Sequence, residues 1–77
     1  MEITHIEARP NCTLSVTAKD GRKGEFDLNP YLVFPVFKPL ENAEEFRRFV
    51  NGGYFVEWAC GADLSADTIE AQWRINP

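Results

Sequence analysis

Between Cys12 and Lys19 the side chains alternate without a break, Leu14, Val16 and Ala18 on one parity and Thr13, Ser15, Thr17 and Lys19 on the other. Successive side chains of an extended chain point to opposite sides, so a period of two marks a strand with one face in a core and one in water. Asp20-Gly21 follows, and glycine accepts the positive φ that a tight hairpin turn demands. Alternation resumes in Gly24-Glu25-Phe26-Asp27-Leu28 with Phe26 and Leu28 inward. The two runs therefore predict an antiparallel hairpin. Ile3 to Ala8 predicts a strand before it, ended by the turn-forming Arg9-Pro10-Asn11.

Asn29-Pro30 places a capping residue before proline at a first helical position, which predicts one helical turn over 30–33. Phe34 to Leu40 carries two prolines among large apolar side chains and reads as an irregular connector pinned by its aromatics. Asn42, with Glu45 three residues on, predicts a helix start, and the helix is expected to end near Arg47 or Arg48. Asn51-Gly52-Gly53 then reads as a hairpin turn feeding a strand from Tyr54 to Trp58. Ser65 caps a last helix that has Asp67 in its first turn and Ile69 and Trp73 on one face. The expected fold is α+β, a small antiparallel sheet of four to five strands with two to three short helices. Leu14, Val16, Phe26, Leu28, Phe46, Val56 and Ile69 are expected to form its core.

Seventy-seven residues suffice for a single domain, 1–77, with one core. The chain is 44% hydrophobic with six Phe, two Tyr and two Trp, enough bulk to fill that core without a metal or a disulfide framework. Two cysteines, Cys12 and Cys60, match no zinc spacing, and His5 is the one histidine that could join them, so neither metal nor cofactor is expected. Free thiols are expected in a reducing compartment. The N-terminus has no basic segment leading into an apolar run, and the longest apolar stretch, Tyr31 to Phe37, is interrupted by Pro35. A cytoplasmic protein with no membrane contact is the expectation.

A net charge of −4, with eight Lys and Arg scattered between Arg9 and Arg74, argues against direct DNA binding, which needs clustered cations. No catalytic constellation appears. His5 lacks a nucleophile beside it, Cys60 reads as a small residue next to Trp58, and Asp63 and Asp67 suit helix capping more than a cation. Asp20-Gly21-Arg22-Lys23-Gly24 lacks the Lys-Ser/Thr ending of a phosphate loop. The aromatics stand out. Tyr54, Val56 and Trp58 share one strand face while Phe55 and Glu57 share the other, so large rings must meet a second layer, a partner or water. Core and interface are both open for them, and Trp58, Phe55, Trp73 and Asp63 are the candidate binding residues.

Four pieces occur in a set order: Asp20-Gly21 with Glu25-Phe26-Asp27-Leu28-Asn29-Pro30; Phe37-Lys38-Pro39-Leu40; the helix bearing Phe46; and Trp58-Ala59-Cys60-Gly61-Ala62-Asp63-Leu64-Ser65-Ala66-Asp67-Thr68-Ile69. Across about two-thirds of the chain they resemble the bacterial family called domain of unknown function 2442. The resemblance implies a compact α+β domain without established catalytic residues. It also implies a partner, a small protein encoded nearby of the domain of unknown function 4160 kind, as in toxin–antitoxin pairs. Relatives fused to a helix-turn-helix unit look like operator binders, and this chain carries no such unit. The expected function is a non-catalytic binding or regulatory module, antitoxin-like, with a homo-oligomer as a further state. Single-stranded nucleic-acid binding through sheet aromatics and a small thiol enzyme using Cys60 are the alternatives.

Overall fold

The computed structural model describes residues 1–76. In chain order it comprises β1 (Ile3–Arg9), β2 (Thr13–Ala18), β3 (Lys23–Asp27), 3-10 turns at Asn29–Tyr31 and Lys38–Glu41, α1 (Ala43–Phe46), β4 (Phe49–Asn51), β5 (Phe55–Trp58), β6 (Asp63–Ser65), α2 (Ala66–Gln72) and β7 (Arg74–Ile75). The class is α+β and every strand pairing is antiparallel. The strands are divided between two sheets, β1-β2-β3-β7 and β4-β5-β6, where the sequence suggested one.

In the first sheet the expected hairpin forms with Leu14 opposite Phe26 and Val16 opposite Gly24, and Gly21 adopts φ +96° at its turn. Ile3 and Ile6 are three residues apart, a spacing that would send them to opposite faces of a regular strand. A register shift between Ile3 and His5 inserts the extra residue that turns both inward, where they are buried. Cys12 does not begin the second strand, as the alternation had suggested. Asn11 and Cys12 both take left-handed backbone, φ 64° and 54°, to complete the β1–β2 turn. The turn is fixed from across the sheet, since the Leu28 N–H donates to Cys12 O at 2.9 Å and Asn29 Nδ2 donates to Asn11 O at 2.7 Å.

The second sheet exists because Gly61, at φ +100°, lets the chain turn back after Trp58. Residues 63–65 then pair with β5 before α2 begins, with Val56 opposite Leu64. The sheets are stitched at Ile3, whose N–H donates to Gly53 O at 2.6 Å and whose carbonyl accepts from Asn51 Nδ2 at 3.1 Å. Helix α1 is a single turn, shorter than expected. Asn42 Oδ1 caps it by accepting from the Glu44 and Glu45 N–H groups, while the Arg48 carbonyl is drawn off to accept from Ala59 N–H of the second sheet. Ser65 Oγ caps α2 by accepting from Thr68 N–H at 3.1 Å.

All seven expected core residues are buried, joined by Leu40, Trp58, Ala62, Leu64, Ala66 and Trp73 among others. The Trp58 ring packs on Phe46, Phe37 and Phe49, and a chain of ring contacts continues through Tyr31 to Phe26, so aromatic bulk fills the space between the sheets. Among the described residues no helix is long and apolar enough to cross a membrane.

Candidate functional site

The two tryptophans lie in the core. Trp58 is 1% exposed, and its Nε1 donates to Phe46 O at 2.9 Å, which satisfies its polar atom inside the protein. Trp73 is 8% exposed and covers Gly24, the one residue type whose lack of a Cβ leaves room for the ring. The Arg22 guanidinium lies 5.7 Å from the centre of that ring. Neither indole offers a contact surface.

Phe55 and Asp63, in contrast, come together on the outer face of the second sheet. Inward Val56, Trp58 and Leu64 alternate with outward Phe55, Glu57, Asp63 and Ser65. Register then sets neighbours across the strands: Val50, Glu57 and Asp63 form one row, and Phe55 stands opposite Ser65 in the next. The Phe55 ring bends over Gly52, where any side chain would collide with it, yet remains 44% exposed, and Val50 is 65% exposed. One pair further along, Trp58 N–H donates to Ala62 O at 2.8 Å, so Glu57 and Asp63 form a non-hydrogen-bonded pair. That is the closer of the two cross-strand spacings, with Cα atoms about 4.5 Å apart.

Asp63 does not cap α2, as its place before Ser65 had suited it to do; Ser65 holds that position, and no described N–H donates to the Asp63 side chain. The turn is closed by backbone alone, with Gly61 N–H donating to Trp58 O at 2.9 Å and Trp58 N–H to Ala62 O at 2.8 Å. Among the described residues, no cation pairs with Glu57 or Asp63, although eight other carboxylates are paired.

The remaining candidates are dispersed. His5 is exposed, with Nε2 3.0 Å from Glu7 Oε1 on the edge strand, and Asp67 sits in the first turn of α2. Both cysteines are free thiols. Cys12 lines an open cleft of about 460 Å³ with Arg9, Asn11, Glu41, Phe46 and Arg47. Burial first, then the negative charges of Glu41 and Asp27, push its thiol upward, away from the thiolate that nucleophilic chemistry needs. Cys60 is exposed at the tip of the β5–β6 turn, its Sγ 4.0 Å from Val36 O. No group of three or more His, Cys, Asp or Glu side chains is arranged to hold a metal among the described residues.

A second apolar feature is the run Val33, Phe34 and Val36, all exposed, on a connector whose turns are tied by hydrogen bonds from Phe34 N–H to Tyr31 O and Phe37 N–H to Phe34 O. The sequence placed Phe55 and Glu57 on a common face from alternation alone. It did not pair Glu57 with Asp63 or bring in Val50, because both depend on the registers of β4 and β6, strands of three residues each. Gly61 between two small residues was the available signal for that hairpin.

Curated proteins and solved structures give no match to the chain. The model of one family, described as Protein of unknown function (DUF2442), matches residues 3–74. The match covers nearly the whole of this two-sheet fold, beyond the two-thirds of the chain that carries the resemblance in the sequence, and the chain belongs to the DUF2442 family.

Proposed function

We propose that this chain is a non-catalytic protein-binding module that docks through the outer face of the β4-β5-β6 sheet. One observation carries the reading: Val50 and Phe55 stand exposed beside two carboxylates, Glu57 and Asp63, that face each other across adjacent strands. Like charges directly opposite weaken a sheet, and exposed apolar side chains gain nothing from water. Both features are relieved when a complementary partner covers the face. The net charge of −4 favours a basic partner protein over a nucleic acid, whose phosphates this face would repel. The raised Cys12 thiol and the scattered His5, Cys60 and Asp67 support a role without covalent chemistry.

An antitoxin-like role, with the small neighbouring protein of the domain of unknown function 4160 kind as partner, is the specific form of this reading. It is tested by co-expressing the two proteins and measuring association and growth. The parent chain should co-purify with the partner and relieve its toxicity, whereas Phe55→Ala and Val50→Ser should release it while melting as the parent does. Retention by both variants with release by Phe34→Ser would move docking to the 33–36 connector. A parent chain that neither associates with the partner nor alters growth would exclude the pairing.

A further inference from the structure

We propose that the cleft between the free edge of β1 and α1 takes an extended acidic segment of a partner protein, added as a strand to the first sheet. The site lies on the other sheet from the docking face above and does not depend on it. β1 ends the order β1-β2-β3-β7, so one side of its backbone has no strand of that sheet beside it. Leu28 N–H donates to Cys12 O and Ala18 N–H to Arg22 O, which turns the even-numbered residues of β2 towards β3 and the odd-numbered ones towards β1. The register then bonds β1 through His5, Glu7 and Arg9 and aims the N–H and C=O groups of Ile6 and Ala8 outward. No other backbone group bonds to them among the described residues. Open donors and acceptors along an edge strand are a template for one more strand.

Gly53 O and Asn51 Nδ2 occupy this edge at Ile3, and at Ala8 it borders the open cleft of about 460 Å³, whose lining includes Arg9, Glu41, Ala43, Phe46 and Arg47. Arg9 and Arg47 line that cleft, whereas the carboxylates they meet, Glu7 at 3.6 Å and Glu44 at 2.9 Å, do not. Both pairs join side chains more than half exposed, which contribute little in water, so the guanidiniums are open to exchange partners. Glu41, the acid among the described lining residues, is met by Lys38 at 3.5 Å. The cleft thus carries an excess of positive charge on a chain whose net charge is −4. Side chains of an added strand alternate as those of β1 do. One parity lies with Ala8, which packs against the core, beside Ala43 and Phe46, and suits small aliphatic residues. The other suits a carboxylate that exchanges for Glu7 and Glu44 on Arg9 and Arg47. A small free anion would leave the Ile6 and Ala8 backbone unmet, so the occupant is a chain in which aliphatic and acidic residues alternate.

The test is a titration of the full chain, followed by amide chemical shifts and hydrogen exchange, with three blocked peptides. One alternates valine and glutamate, one has glutamine in place of glutamate, and one is the first peptide N-methylated at every residue. The first should shift residues 6–9 and 43–47, slow exchange at the Ile6 and Ala8 amides, and bind more tightly than the other two. Arg9→Gln and Arg47→Gln should each weaken it about fivefold, the worth of one open ion pair, while melting as the parent does. Equal binding of the glutamine peptide, or undiminished binding by both arginine variants, would overturn the acidic occupant. Equal binding of the methylated peptide, or unchanged exchange at Ile6 and Ala8, would overturn strand addition. Shifts located elsewhere would overturn the site, as would a lowered melting temperature in both variants, which makes the guanidiniums structural. Shifts at residues 5–9 on concentrating the chain alone would overturn the proposal in favour of a second copy on this edge. The docking face on the second sheet fails separately, if Phe55→Ala and Val50→Ser retain the partner protein.

Discussion

Gly24 shows how one missing methyl group permits a fold. A Cβ there would lie 2.7 Å from a Trp73 ring atom and 2.8 Å from Arg74 O, and the second contact is backbone that cannot rotate away. Gly24→Ala should therefore lower stability by about 1–3 kcal/mol through overpacking, with the loss centred on β3–β7 pairing. Gly21 is the control of opposite kind: its φ of +96° strains any side chain, yet nothing lies within 4 Å, so Gly21→Ala should cost about 1–2 kcal/mol through backbone strain alone. Urea unfolding of the two variants separates these causes, because only the Gly24 variant should alter the near-ultraviolet dichroism of Trp73. Phe26 and Phe46 are 1% and 4% exposed, and truncating either to alanine should cost about 3–5 kcal/mol, a large share of a small domain's stability. Melting curves matching the parent would contradict their packing.

Among elements, the β5–β6 hairpin is the joint on which the candidate surface depends. Gly61→Ala forces a left-handed conformation on a residue with a Cβ, which should cost about 1–2 kcal/mol, and amide exchange should quicken first across residues 62–65. Ser65→Ala removes the cap of α2 and should cost about 1 kcal/mol, with the fraying confined to that helix. Uniform loss of protection in both variants would mean that sheet and helix unfold as one unit. The same hairpin is the part of the fold least legible in the sequence. β1, β2 and β3 were legible because five to seven residues of one-sided burial write a clear period into the chain. β6 and β7, of three and two residues, hold too few alternations to be seen, and their places follow from partners distant in sequence. Phe55 and Asp63 could thus be picked out singly, but the Glu57–Asp63 row depends on a register that no local pattern encodes. Trp58 and Trp73 read as contact residues in the sequence because ring count cannot distinguish one covered sheet from two sheets facing each other.

For the whole molecule, the surface ion pairs set how it responds to acid. Glu70, on α2, accepts from the Met1 ammonium at 3.0 Å and pairs with Arg22 at 2.9 Å, so one carboxylate ties the last helix to the N-terminal residue and to the β2–β3 turn. The ammonium, then the Arg22 guanidinium, hold its carboxyl below the usual range. Asp20 is lowered by the Arg22 backbone N–H and then by its guanidinium, and Glu7 by the hydrogen bond and charge of His5. In each case the folded chain binds the proton less readily than the unfolded chain. The stability these groups contribute is therefore present above the unfolded carboxyl values of about 4 and is lost as pH falls through the lower folded values. Denaturation midpoints should hold between about pH 5 and 7 as far as these groups decide, and decline below about pH 4.5, more steeply at low salt because the pairs lie open to solvent. Glu70→Gln isolates the largest shared node: at pH 7 it should unfold more easily than the parent. As pH falls through the lowered folded value and the parent carboxylate takes up its proton, the two curves should converge. Parallel curves across that range would show that Glu70 contributes through shape and not through charge.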